Sequence, residues 1–179
     1  NFSMEAIEQT WNGNSTTHGS RCSATISRNG DLVGRLYLQL DLSSNNAASV
    51  ENPGHTVVDN VEVEIGGQRI DKQTGGWMET WAQLTQPNDG ALVGTQAAPT
   101  ISGTKFQNMA MAGGIKKADS ISNAIAYVPL QFWFCRNPGL ALPLIALQYH
   151  EVKVNLTLFS ASTAAHLAIN SNKLFADYI

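Results

Sequence analysis

The sequence predicts an all-β protein, an antiparallel sandwich, and three runs of alternating apolar and polar residues are the basis for that prediction. The runs lie at Leu36–Leu42, Val61–Ile65 and Val152–Leu158, and in each of them every second residue is aliphatic. Because successive side chains of a strand point to opposite faces, each run describes a strand with one face against a core. We therefore expect these aliphatic side chains to be buried.

The composition agrees with a folded domain and excludes some functions. A chain of 179 residues is long enough for one domain with a sizeable core. With 43% hydrophobic and 14% charged residues, it lacks the composition of a disordered segment. The net charge of −3 provides no basic footprint, so we expect no direct contact with nucleic acid. No apolar run is long enough to predict a transmembrane segment.

The first half of the chain predicts two strands and a turn between them. Cys22–Ile26 alternates between small apolar and polar residues, and Asn29-Gly30 follows as a two-residue hairpin signal. The turn would lead into the strand at Leu36–Leu42. Ser43–His55 is then rich in Ser and Asn and predicts a loop, with Pro53-Gly54 as a breaker.

A Gly-Gly pair predicts the next hairpin. Gly66 and Gly67 stand between the strand at Val61–Ile65 and a returning strand at Gln68–Lys72. Glycine tolerates positive φ at both positions of a primed turn, which is the turn type that suits a two-residue hairpin. We therefore assign both glycines a structural role in the turn.

One segment predicts a helix, and a long loop follows it. In Gly76–Leu84 the apolar residues Trp77, Trp81 and Leu84 fall at helical spacing on one face. We expect this face to pack under the domain as core rather than to bind a ligand. Gln86–Ser122 then shows little periodicity, and a loop of that length in a compact domain is often functional.

An apolar corner precedes the strand at Val152. Leu130–Cys135 is almost wholly apolar and aromatic, which is typical of a strand covered on both faces. Asn137, Pro138 and Gly139 are turn residues, since Pro fixes φ and Gly permits positive φ. Pro143 interrupts the next apolar run and prevents a regular helix. We expect an ordered, buried connection from Asn137 to Pro143.

A closing strand is expected at Lys173–Ile179. Eight candidate strands, long loops and one short helix together favour an eight-stranded antiparallel jelly-roll sandwich.

The sequence contains no recognisable catalytic or metal-binding pattern. Neither the histidines nor the cysteines fall at metal-ligand spacing, and Cys22 and Cys135 are expected to be free, buried thiols. Motifs of hydrolases, phosphate loops and dinucleotide sites are absent. We expect no enzymatic activity and no cofactor. The scattered histidines are His18, His55, His150 and His166.

The glycosylation pattern N-x-S/T occurs at Asn1, Asn14 and Asn155. Asn14 is the candidate acceptor, since it lies in the most loop-like context, whereas Asn155 lies in a predicted strand.

Several segments carry a family likeness. The segments are V-E-V-E-I-G-G-Q-R-I-D-K at Val61–Lys72, the stretch from F-W-F-C-R-N-P-G through V-K-V-N-L-T-L at Phe132–Leu158, I-S-R-N-G-D-L at Ile26–Leu32 and F-A-D-Y-I at Phe175–Ile179. They resemble the major capsid protein of nucleocytoplasmic large DNA viruses, above all that of the phycodnaviruses, which infect algae.

The resemblance implies a function in the virion. Members of the family carry two jelly rolls in tandem and form trimeric, pseudo-hexagonal capsomers, which tile an icosahedral shell. Residues 1–179 resemble the first jelly roll, so we expect a single domain that is the N-terminal half of a double jelly-roll protein. The partners implied are other copies of the chain, neighbouring capsomers and minor capsid proteins. The location implied is the capsid, assembled in the infected host cell.

Two alternatives stay open from the sequence. A single-jelly-roll relative could form a pentamer at the fivefold vertices. A carbohydrate-binding jelly-roll module would need an exposed aromatic side chain beside Asp or Asn, for which Trp11 with Asn12 and Asn14 is the candidate.

Overall fold

The computed structural model describes residues 2–44, 50–87, 103–114, 123–160 and 167–179, whose strands form two antiparallel sheets. In chain order the strands are β1 (Glu5–Gln9), β2 (Asn12–Gly13), β3 (Arg21–Thr25), β4 (Leu32–Ser44), β5 (Val58–Ile65), β6 (Gln68–Thr74), β7 (Ala124–Pro129), β8 (Leu142–Pro143), β9 (Val152–Leu158) and β10 (Leu167–Tyr178).

The strand order is that of a jelly roll. One sheet has the order β1-β10-β4-β7, with β8 paired to β4, and the other has the order β2-β3-β9-β5-β6. Without the two-residue strands β2 and β8, the remaining strands, renumbered along the chain, run 1-8-3-6 and 2-7-4-5. Each sheet thus alternates strands from the two ends of the chain, as in a sandwich of two Greek keys. The predicted fold class is confirmed.

The core lies between the sheets and contains the residues that the alternation predicted. Every aliphatic residue of the three predicted runs is buried, except Ile65, which is partly exposed. The closing strand begins earlier than predicted, at Leu167, and pairs with both β1 and β4. Burial of aliphatic surface at about 25 cal/mol per Å² makes this interior the main source of stability.

Three α-helices lie among the described residues, where the sequence predicted one. They are α1 (Pro53–Thr56), α2 (Gly75–Thr85) and α3 (Lys105–Ala110). Pro53 occupies the first turn of α1, where its missing N–H costs nothing, so it starts a helical turn instead of breaking the chain. Helix α3 begins with a capping box of Thr104 and Gln107, which was overlooked inside the predicted loop.

The predicted hairpin at Asn29-Gly30 is wrong. Strand β3 pairs with β9 and strand β4 with β10, so the dipeptide carries the chain from one sheet to the other. Gly30 does not have the positive φ that a primed turn needs. A Cβ at Gly30 would lie 3.0 Å from the Cβ of Tyr178, so close packing explains the small residue.

The predicted strand at Leu130–Cys135 is also wrong. Strand β7 ends at Pro129, and Trp133–Cys135 forms a 3₁₀ turn. Phe132 and Phe134 are buried, and their stacked rings lie 5.8 Å apart. A short, continuous apolar run shows that a segment is buried, but its lack of periodicity does not distinguish a strand from a turn.

Candidate assembly surface

Helix α2 is apolar on two faces, and the face that is buried is not the predicted one. Gly75, Met78 and Ala82 are buried, whereas Trp77 is 42% and Leu84 is 76% exposed. The prediction that the tryptophan face is core is therefore wrong. Both sets of residues have helical spacing, so periodicity alone does not distinguish them.

The small residues on α2 were the signal that could have distinguished the two faces. A Cβ at Gly75 would lie 2.3 Å from the carbonyl oxygen of Val58 and 2.4 Å from that of His55. The helix can approach the sheet this closely only where it has no side chain. No larger residue fits at position 75 unless the helix moves.

The exposed side of α2 has an ordered aromatic surface. The rings of Trp77 and Trp81 lie 5.6 Å apart, and the guanidinium of Arg136 lies 4.3 Å from the centre of the Trp81 ring. Arg136 also donates a hydrogen bond from Nε to the Gln131 carbonyl oxygen at 3.1 Å, which fixes its position over the ring. We name this surface, together with Leu84, the α2 face.

A buried polar pair holds α2 against the other helices. The Nδ1 atom of His55, on α1, lies 2.6 Å from Oε2 of Glu79 on α2. Glu79 also accepts hydrogen bonds from the Gly113 backbone N–H at 3.0 Å and from the Gln83 amide at 2.8 Å. Burial raises the pKa of Glu79, but these hydrogen bonds outweigh it and lower the pKa to about 2. The carboxylate thus ties together α1, α2 and the segment after α3.

A second set of contacts joins α1 to the end of α3. The Gly54 N–H donates to the Met111 carbonyl oxygen at 3.0 Å, and the Gly114 N–H donates to Oδ1 of Asn52 at 2.9 Å. A Cβ at Gly54 would lie only 1.9 Å from the Ala110 carbonyl oxygen. Residues 103–114 are therefore a packed part of the domain, although they lie inside the predicted 86–122 loop. The rest of that loop, residues 88–102 and 115–122, is outside the described residues.

The outer face of the sheet that contains β5 carries a charge cluster. Glu62 is buried and lies 3.0 Å from Arg21, 3.2 Å from Arg69 and 3.7 Å from Lys72. All three cations are partly solvated, so their role is to compensate the one buried carboxylate. The cluster links β3, β5 and β6 across the sheet.

The two turn glycines lie between β5 and β6. Gly66 has φ of 59° and Gly67 has φ of 82°, and Ile65 pairs with Gln68 across the turn. A Cβ at Gly66 would lie 2.6 Å from Nδ1 of His150, so both the backbone and the space favour glycine there.

The corner is only partly buried, which corrects the expectation for it. Asn137, Pro138 and Gly139 are exposed, and Pro138–Leu140 forms a 3₁₀ turn with Asn137 Oδ1 accepting from the Gly139 N–H at 2.9 Å. Gly139 does not have positive φ, so that part of the prediction is wrong. Leu140 is exposed as well. Burial begins with Leu142 and Leu144, on either side of Pro143, where the chain pairs with β4 in β8.

Histidine, cysteine and acidic side chains are the candidates for metal binding or catalysis in the part of the chain that the structure describes. No group of three or more His, Cys, Asp or Glu side chains there could hold a metal ion. Cys22 and Cys135 are free and buried, and burial raises their pKa values to about 11 and about 12. Thiols that resist ionisation in this way are inert. His166 lies outside the described residues.

The residues proposed for carbohydrate binding do not form an aromatic platform. Trp11 is partly buried and packs against the core. Asn12 lines a shallow polar depression of about 440 Å³ together with Glu8, Glu151 and Lys153, and Trp11 is not part of its lining. The part of the Trp11 side chain that packs against the core is not available to stack on a sugar.

Asn14 is exposed in the turn between β2 and β3. Its Oδ1 accepts hydrogen bonds from the backbone N–H groups of Thr16 and Thr17, both at 3.0 Å, which is the geometry of an Asx turn.

In the described ranges, no helix has the length and apolarity needed to cross a bilayer.

The sheet order defines a jelly-roll domain. A family model described as the major capsid protein N-terminus matches residues 1–178. The chain belongs to this family, and the resemblance inferred from the sequence is confirmed.

The relatives have the same description. The chain is 45% identical over 190 residues to the major capsid protein of Pyramimonas orientalis virus, covering 100% of this chain and 44% of that protein. It is 46% identical over 180 residues to the major capsid protein of Phaeocystis pouchetii virus, covering 88% of this chain and 34% of that protein. The chain therefore spans less than half the length of these relatives.

The solved structures agree. A chain of the quasi-atomic model of the PBCV-1 virus capsid matches with a TM-score of 0.78 and 35% identity, covering 99% of this chain and 42% of that one.

Proposed function

We propose that this chain is a structural, non-enzymatic domain of a major capsid protein, which builds the icosahedral shell of a large DNA virus of algae. The observation that carries the proposal is the match along residues 1–178 to the N-terminal domain of major capsid proteins, with relatives of that name at 45% and 46% identity. The similarity to a chain of the PBCV-1 capsid at a TM-score of 0.78 supports the same role. The location is then the virion.

The proposal includes the domain arrangement that the sequence analysis expected. Residues 1–179 act as the first of two jelly rolls, and the chain's coverage of only 44% and 34% of its relatives leaves room for a second domain of similar size. The partners are other copies of the same protein in a trimeric capsomer, then neighbouring capsomers and minor capsid proteins. The penton alternative is less favoured, because the relatives named above are all major capsid proteins.

The test is to find the protein in the particle. Purified virions are digested and analysed by mass spectrometry, with peptides from this chain quantified against all other virion proteins. We expect peptides of this chain to be among the most abundant, in icosahedral copy number. Their absence from virions purified free of host material would contradict the proposal. A glycan array probed with the isolated domain serves as the comparison, since specific binding there would favour a carbohydrate-binding module.

We also propose Asn14 as a glycan acceptor on the capsid subunit. Its exposure and its position in an Asn-Ser-Thr triplet support this. The intact mass of the virion protein should exceed the polypeptide mass, and the excess should disappear in an Asn14→Gln variant. An unmodified parent mass would remove Asn14 from the proposal and leave the capsid role untouched.

A further inference from the structure

The α2 face is built like the centre of a protein interface. It combines two tryptophans and an exposed leucine of helix α2 with an arginine from the segment after β7, and Trp and Arg are among the residues most enriched at binding hot spots. Its opposite side already packs on the domain through Gly75, Met78 and Ala82. A helix that is apolar on two faces has a second face to bury.

The α2 face lies at one lateral edge of the sandwich. Helix α2 follows β6, which ends the order of its sheet, and it contacts β5 and β6. Through Arg136 the face reaches the segment that follows β7, which ends the order of the other sheet. A contact made here joins subunits side by side.

The opposite edge carries a second exposed apolar group of the complementary kind. Strand β1 ends its sheet on that side, and the residues in front of it include Phe2, 81% exposed, and Met4, 58% exposed. They are followed by the exposed acidic residue Glu5. The described part of the chain thus presents apolar side chains with an acid at one edge and apolar side chains with Arg136 at the other.

We propose that the α2 face of one copy of the chain binds residues 2–5 of a second copy, edge to edge. The inference rests on the proposed function, because it names the surfaces used in self-association. Phe2 and Met4 pack on Trp77 and Leu84, and Glu5 approaches Arg136. Opposite charges at the rim orient such a contact and exclude the reversed one.

The contact is heterologous, because two different surfaces meet. Repetition of a heterologous contact closes into a ring if the rotation allows and otherwise extends into a filament. A four-residue segment on one helix face buries less area than a standard stable interface, so we expect weak association that depends on protein concentration.

The experiment is sedimentation velocity of the chain over a concentration series up to roughly 100 µM, a range that detects micromolar dissociation constants. The face variant is Trp77→Ser with Leu84→Ser, and the edge variant is Phe2→Ser with Met4→Ser. Ile145→Ser is the control, because Ile145 is 67% exposed in a turn and belongs to neither of the two proposed surfaces. The parent and the control should self-associate, and each double variant alone should associate at least tenfold more weakly.

A mixture of the two variants gives the decisive result. The face variant retains an intact edge and the edge variant retains an intact face, so the mixture should form one-to-one dimers that grow no further. If the edge variant self-associates like the parent, the α2 face has another occupant and the inference fails. A parent that stays monomeric throughout also overturns it. Neither result changes the abundance of the protein in virions, which tests the proposed function separately.

Discussion

The sheets and the helical edge of this domain are held together in different ways. In the strands the buried side chains that form the core lie at every second position. On β9 they are Val152, Val154, Leu156 and Leu158. At the helical edge the contacts join residues far apart in the chain, such as His55 with Glu79 and Glu79 with Gly113. The sandwich rests on bulk burial, whereas the helical edge adds glycine contacts and polar partners to a small apolar cluster of its own. We therefore expect the sandwich to be the folding unit and the outer side of the helical edge to be a surface fitted onto it.

The largest expected effect comes from a charge placed in the sandwich. Leu156 is fully buried on β9, and Leu156→Asp would bury an unpaired carboxylate between the sheets. We expect a loss of at least about 4 kcal/mol in the free energy of unfolding, or no folded protein. Urea unfolding followed by tryptophan fluorescence measures it. A variant that unfolds with the parent would contradict the assignment of this strand face to the core.

A smaller but still large effect is expected where α1 meets α3. Gly54→Ala places a Cβ on the Ala110 carbonyl oxygen, and because both atoms are fixed to the backbone the helices must move apart. We expect about 2–3 kcal/mol of destabilisation in thermal unfolding. Gly76→Ala is the matched control, since nothing lies within 4 Å of its Cβ position and Ala suits a helix better. Equal melting temperatures for the two variants would show that the Gly54 contact is not close in solution.

The His55–Glu79 pair should make the helical edge sensitive to acid. The pKa of Glu79 is lowered from 4.5 to about 2, so its contribution is complete above pH 4.5 and is lost as the pH falls towards 2. After allowance for solvent screening we expect about 2 kcal/mol from the carboxylate. Glu79→Gln should therefore destabilise the protein at pH 7, and the difference from the parent should shrink between pH 5 and pH 2. Urea unfolding across this range measures the difference, and a constant difference would contradict the assignment.

The smallest effect is expected on the α2 face itself. Arg136→Ala removes the contact with the Trp81 ring but exposes no core, so the free energy of unfolding should change by less than about 1 kcal/mol. Chemical denaturation with Arg136→Lys as the conservative variant measures this. A loss comparable to that of Gly54→Ala would mean that the α2 face supports the fold, and the division between folding unit and fitted surface would fail.

The sequence predicted the sheets better than the helical edge. Alternation identified the buried face of β4, β5 and β9, because a strand with one buried face has apolar and polar residues at alternate positions. It did not identify the partners of a turn, as Asn29-Gly30 shows, since pairing across sheets depends on the whole topology. The prediction for the buried face of α2 is wrong because two sets of residues share the helical period. The large tryptophans gave the stronger apolar signal, whereas the face that is buried contains the small residues Gly75 and Ala82.

The candidate assembly surface was harder still to predict. Arg136 lies far from Trp81 in the sequence, and only the fold brings the guanidinium over the ring. The capping box at Thr104 and Gln107 was a local signal for α3. It lies in a segment rich in Gly, Ala and Ser, which has little apolar periodicity to support the prediction of a helix. The family likeness lies in long motifs rather than in any single site residue.

We propose that the sandwich provides the fold, while its helical edge provides a contact in the viral shell. A cryo-electron microscopy map of the virion, at a resolution that shows side chains, would test both parts of this proposal at once. We expect the two sheets in the order found here, with Trp77, Trp81 and Leu84 covered by residues 2–5 of a neighbouring subunit. A shell without this domain, or one in which the α2 face points into solvent at every position, would contradict it.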